Sequence, residues 1–144
     1  MTLYRKPLSL AFGAVLSAIT FASVAQAAEF DLTPEQPGRI HTEKSDKAAA
    51  AISPSFKFAK EGYLTVATHP WDPPVGTYAT DAKTPVGTDP DITVLIAETL
   101  GLKLDLVPVA WADWPLGLAS GKYDAVISNV TVTEERKEKF DFST

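Results

Sequence analysis

From Tyr63 to Arg136 the chain alternates three times between a short β-branched or aromatic run and a stretch that can cap and wind a helix. No other feature constrains the fold as strongly, because strands joined through helices pair side by side in one direction and build a parallel α/β layer. Tyr63-Leu64-Thr65-Val66-Ala67-Thr68 has the content of a strand. His69-Pro70-Trp71-Asp72-Pro73-Pro74 stops it, since three prolines remove donors and fix the backbone. Tyr78 to Gly87 predicts a hairpin-like excursion with Thr80-Asp81-Ala82-Lys83 as its turn. Asp89, as cap, and Pro90, at the first position, open a helix whose apolar face is expected to be Ile92, Leu95, Ile96 and Leu100, with Gly101 ending it. Leu102 to Val109, which alternates apolar and polar residues as far as Leu106, reads as a half-buried strand. Asp113 can cap a short helix with Pro115 in its first turn and Gly121 past its end. Trp111 and Trp114 flank that start and are expected to pack the helix on the sheet. Ala125-Val126-Ile127 is the third strand.

The chemistry gathers after that strand. Ser128-Asn129-Val130-Thr131 leads to Thr133, whose oxygen can cap the next turn, and Glu134 and Glu135 put negative charge where a helix start favours it. Arg136 stands third in the helix, beside unpaired backbone donors. Strand, polar linker, capped helix and early Arg together make an anion cradle at the carboxyl end of a strand, the place where open α/β sheets bind ligands. The plainer alternative is a surface Arg paired with Glu135 or Glu138. His69 and Asp72 could hold a metal, but two donors without a third make a poor site. Asp89 and Asp91 could be paired catalytic carboxylates, although capping explains them.

Thr133-Glu134-Glu135-Arg136 followed by Phe140-Asp141-Phe142-Ser143, and preceded by Gly121-Lys122-Tyr123-Asp124, closely resembles the amino-acid-binding family of periplasmic solute-binding proteins that serve ABC importers. The resemblance runs from about Gly62 to Thr144. It implies an α/β fold: lobe one of a type II periplasmic-binding-protein architecture, with a mostly parallel sheet flanked by helices. It also implies that Arg136 grips a ligand's α-carboxylate, which a planar guanidinium can hold by both oxygens. Ser128, Asn129 and Thr131 match the pocket-lining linker. Trp71 matches the aromatic residue that packs on the ligand, with Tyr78 as second choice, and Trp71 could equally cover the core. Relatives that bind basic side chains commonly carry an acid where this chain has His69, which argues against a basic ligand. The implied mechanism is capture followed by hinge closure, then docking of a monomeric carrier on a membrane permease, with no cofactor and no metal.

Composition fits that compartment. Arg5 and Lys6, the apolar run Leu8 to Ala22 and Ala25-Gln26-Ala27 form an export signal at residues 1–27, cleaved after Ala27. The apolar run is short against the roughly 20 residues of a membrane span. The net charge of −5 grows more negative once Arg5 and Lys6 leave, which argues against nucleic acid or anionic membrane as partner. With no cysteine there is no disulfide, no thiolate chemistry and no lipid attachment at a signal-peptide cysteine, so a freely diffusing periplasmic protein is expected. Residues 28–55 read as a low-structure extension with one short helix near Glu43 to Ile52 and a solvated His41.

Residues 56–144 read as lobe one, ending just before the family crosses to its second lobe, so a truncated chain that binds weakly on its own is expected. Two other functions use the same fold: a cyclohexadienyl-dehydratase-like enzyme working through His69, Asp72 or Glu134, and the sensing module of a receptor or cell-wall enzyme.

Overall fold

The computed structural model describes residues 30–143; the export signal expected at residues 1–27 lies outside the described residues. The elements are α1 (Asp46–Ala51), β1 (Tyr63–Thr68), β2 (Thr77–Tyr78), β3 (Pro85–Val86), α2 (Thr88–Leu100), β4 (Lys103–Pro108), α3 (Trp114–Ala119), β5 (Ala125–Val126) and α4 (Glu134–Lys137). A three-stranded sheet has the order β4-β1-β5. Both pairings are parallel, with Val66 opposite Leu106 on one side and Ala125 on the other. The α/β layer expected from the alternation is therefore present. β1 is the middle strand, and Val66 and Ala67 are fully buried in it. The chain passes from β1 to β4 on one side and then crosses to β5 on the other. That reversal opens a crevice beyond the carboxyl ends of β1 and β5, where such sheets bind ligands.

Leu64, Val66 and Ala97 centre the core, with Phe58, Leu102, Leu104, Leu106, Ala125 and Ile127 packed around them. The Asp124 carboxylate ties the lower end together, accepting from the Ala59 N–H at 2.7 Å and the Thr65 N–H at 2.6 Å. β2 and β3 form the expected hairpin. At its turn, Asp81 accepts from the N–H groups of Lys83 and Thr84, each at 2.9 Å.

Two expectations for α2 are corrected. Asp89 does not cap it: the helix starts at Thr88, Gly87 is its N-cap, and no side chain bonds there. Carbonyls of the proline loop take that role, as Thr88 N–H donates to Pro74 O at 3.2 Å and Asp89 N–H to Val75 O at 2.9 Å. Gly87 permits this approach, with φ at 126° and a would-be Cβ 2.7 Å from both carbonyl oxygens. The buried face is also different. Pro90, Thr93 and Ala97 face inward, whereas Ile92 and Ile96 are exposed and line an open apolar groove with Leu95 and Leu100. Small side chains let the helix approach the sheet, and Thr93 satisfies its hydroxyl on Asp89 O at 2.7 Å.

β4 lies within Leu102 to Val109 and continues past Leu106, where the alternation ends, to Pro108. Asp113 sits at the N-cap of α3 but makes no side-chain capping bond. Residues 30–45 lie along the hairpin and α2. Thr80 N–H donates to Leu32 O and Ser45 N–H to Thr99 O, both at 2.9 Å. Arg39 pairs with Asp91 at 2.7 Å, and His41, largely exposed, pairs with Glu98 at 2.6 Å. α1 lies within the expected Glu43 to Ile52, capped by Ser45.

Candidate functional site

A cavity of about 280 Å³ opens at the carboxyl ends of the strands, lined by His69, Trp71, Asp72, Val75, Gly76, Asp89, Trp111, Ser128 and Asn129. Each strand of the sheet delivers part of it. His69 follows β1, Trp111 follows β4, and Ser128 with Asn129 follows β5. The buried Ser128 anchors the junction, because its hydroxyl oxygen accepts from the His69 N–H at 2.8 Å. The His69 ring is fixed through Nδ1, 2.9 Å from Val109 O. A carbonyl only accepts, so Nδ1 carries the proton, and in the neutral ring Nε2 is left as an acceptor. Asn129 takes a left-handed backbone with φ at 48°, a conformation Asn tolerates better than most side chains.

The walls are aromatic. Trp71 is 69% exposed, too open to cover the core. Its ring lies 6.3 Å from His69, and Tyr78 meets it edge-on at 6.2 Å. Tyr78 thus backs Trp71 and is not among the residues lining the cavity. The shared packing role expected for the tryptophans splits. Trp114 is 3% exposed and belongs to the core, whereas Trp111 is 41% exposed and faces the cavity 5.9 Å from His69. The spacing held no sign of this, since both rings flank the same short helix.

Two carboxylates also reach the cavity. Neither Asp72 nor Asp89 has an ion-pair partner among the described residues. Burial pushes the Asp89 carboxyl above its ordinary range, the Asn129 backbone N–H draws it partly back, and the Asp72 charge raises it further. Capping accounted for Asp89 in the sequence. Once the Pro74 and Val75 carbonyls take over the helix start, its side chain is free to face the cavity.

Arg136 stands on the other side of Trp111. Thr133 caps α4 as expected, accepting from Arg136 N–H at 3.3 Å. Arg136 Nη1 donates to Thr131 O at 2.7 Å, so Thr131 holds the guanidinium through its carbonyl and does not itself line the first cavity. The guanidinium lies 5.6 Å from the Trp114 ring centre and 5.9 Å from that of Trp111. It lines a second hollow with both tryptophans and Phe140. The Trp111 ring is the wall common to the two. Among the described residues Arg136 forms no ion pair with Glu135 or Glu138, and Glu135 bonds Lys139 instead. The cradle is weaker than its pattern implied, since α4 has four residues and a single turn sums few peptide dipoles. Among the described residues no group of three or more His, Cys, Asp or Glu could hold a metal ion.

Comparison with known proteins gives this geometry a context. The L-cystine-binding protein TcyJ of Escherichia coli (strain K12) is 34% identical over 88 residues, covering 61% of this chain and 33% of that protein. Cyclohexadienyl dehydratase of Pseudomonas aeruginosa is 31% identical over 87 residues, covering 60% of this chain and 32% of that protein. The chain therefore spans about a third of the length of the curated relatives it matches. Among solved structures, an ancestral arginine-binding protein bound to arginine matches with a TM-score of 0.54 at 41% identity, over 57% of this chain and 36% of that one. The arginine-bound form of domain 1 from TmArgBP matches with a TM-score of 0.51 at 35% identity, over 54% of this chain and 60% of that one. The fold is thus part of a type II periplasmic-binding-protein lobe. Residues 64–144 match the model of one family, which agrees with the motif resemblance, and the chain belongs to the bacterial extracellular solute-binding proteins, family 3.

Proposed function

We propose that this chain forms one wall of a cleft that captures a free amino acid in the periplasm and passes it to the membrane permease of an ABC importer. The observation that carries the reading is the convergence of Ser128, Asn129, Trp71 and Trp111 on one cavity at the strand ends, with Arg136 in the adjoining hollow 5.9 Å from the Trp111 ring centre. In this reading Arg136 holds the α-carboxylate, with Thr131 O fixing its direction. Trp71 and Trp111 pack on the ligand, and Ser128 and Asn129 offer oxygens to it. A second wall comes from the part of the relatives' length that this chain does not span. Closure of the two walls would exclude water and commit the ligand. Binding by one lobe is also reasonable, because domain 1 of TmArgBP occurs in an arginine-bound form.

A thermal-shift screen against the common free amino acids tests the reading, since a ligand that binds the folded state raises its melting temperature by mass action. A concentration-dependent rise with at least one amino acid is expected. No rise with any of them refutes the carrier role.

The dehydratase reading has one observation in its favour, the His69 ring at the cavity with Nδ1 held on Val109 O, in a relative of cyclohexadienyl dehydratase. Turnover of prephenate that disappears in His69→Ala would establish it in place of the carrier.

A further inference from the structure

We propose that the free edge of β4 is the surface on which a second copy of this chain docks, strand against antiparallel strand about a two-fold axis at Leu104. β4 is an edge of the sheet and pairs only with β1 among the described residues. Lys103 N–H donates to Gly62 O at 3.1 Å and Val109 N–H to Thr68 O at 2.9 Å, so the odd-numbered residues turn their backbone groups toward β1. Alternate residues of a strand point theirs the other way. Leu104 and Leu106 therefore present N–H and C=O outward, where no strand meets them among the described residues. The opposite edge, β5, has two residues and offers little to pair with.

The side chains of this edge identify the occupant. Lys103 and Asp105 stand on one face of the strand, and Leu104 and Leu106 stand on the other, packed against the core. An edge lysine ordinarily turns other strands away. Here Asp105 on the same face answers it. When two copies of β4 run antiparallel with Leu104 against Leu104, each Lys103 lies opposite Asp105 of the other copy, and each Leu102 lies opposite Leu106. One face then closes ion pairs across the axis while the other covers leucines, and both kinds of cross-strand pair are stabilising. Centring the pair on Leu106 instead sets Asp105 against Val107 and Lys103 against Val109, so charge selects the first register.

Both charges are available for it. Lys103 is exposed and makes no ion pair among the described residues. Asp105 gives Oδ2 to Lys60 at 3.1 Å, and its other oxygen can take Lys103 of the second copy. The pairing runs from Leu102 to Leu106 and stops short of Trp111, so the cavity at the strand ends stays open in both copies.

Sedimentation velocity of the purified chain, from micromolar to near-millimolar concentration and in low and high salt, tests the proposal. A monomer–dimer equilibrium that weakens with salt is expected, and a weak one, since one strand from each copy makes a small interface. Asp105→Lys sets lysine against lysine and is expected to weaken dimerisation by about tenfold or more. Combining it with Lys103→Asp reverses both charges, keeps the complementarity and is expected to restore the dimer. Mixing the Asp105→Lys and Lys103→Asp single variants should likewise give a heterodimer where neither associates with itself. A chain that stays monomeric across that range overturns the proposal, as does a dimer indifferent to Asp105→Lys, or one that neither the double variant nor the mixture restores.

Discussion

Replacing Trp111 and Trp114 separately by Ala should give opposite balances of stability and affinity, although the two rings stand three residues apart. Trp114 is 3% exposed and packs 5.2 Å from Phe140 and 6.2 Å from Trp111. Trp114→Ala removes a core aromatic, at a cost of about 3–5 kcal/mol. For a domain of this size that lowers Tm by at least roughly 10 °C. Trp111 is 41% exposed, so only about three-fifths of its burial is lost. Full burial of a large apolar side chain contributes about 1.5–3 kcal/mol, which leaves about 1–2 kcal/mol for Trp111→Ala. Its effect on binding is larger in proportion. The substitution removes a cavity wall, worth about 0.5–1.5 kcal/mol of ring packing, and the cation–π support of Arg136, worth about 0.5–1 kcal/mol. Together these predict a loss of affinity of about 5- to 70-fold. Thermal melts followed by circular dichroism, paired with calorimetric titration using the amino acid that gives the largest thermal shift, measure both quantities. A Trp111→Ala protein that melts as low as Trp114→Ala while binding within twofold of the parent would refute the division between wall and core.

Arg136→Ala should weaken amino-acid binding by roughly 2–5 kcal/mol, because the ligand carboxylate is left unpaired, and titration of the variant checks it. Gly87→Ala should destabilise the fold by about 2–4 kcal/mol, since the new Cβ meets two carbonyl oxygens at a positive φ; a denaturant titration with an unchanged midpoint would contradict it. Asp89→Asn should raise Tm at pH 7. The folded pKa of Asp89 is raised above 3.8, so ionising it opposes folding as pH rises through that folded value, and the Asn side chain carries no such charge. The gain should vanish in melts below pH 3.8, where Asp89 is protonated in both states.

The sheet was legible because each strand is a compact branched run beside a turn signal, and Gly101, Pro115 and Thr133 mark helix ends by local chemistry alone. The orientation of α2 was not. That helix carries Ile92, Val94, Leu95 and Ile96 around more than one side, so apolar spacing does not choose a face. The choice is made by close approach, which favours Thr93 and Ala97 over the larger residues. Asp89 and Trp111 were misassigned for a related reason. Their roles depend on groups brought near by folding, the Pro74 and Val75 carbonyls in one case and the His69 ring in the other. Arg136 was legible as the cation of the capped turn after β5 and was expected to grip a carboxylate, but its place 5.9 Å and 5.6 Å from the Trp111 and Trp114 ring centres was not. The partners of residues 30–45 were equally out of reach of local pattern.

Those long-range partners set an order of events. Arg39 and Thr42 meet Asp91 and Glu98 across 52 and 56 positions of chain, and closing so long a loop costs entropy before any contact forms. The segment bearing them should dock late, after the strands have registered, and release early when the molecule loosens. A protease added under native conditions should then nick it first, near Glu35 to Lys44, while β1, β4 and β5 remain paired.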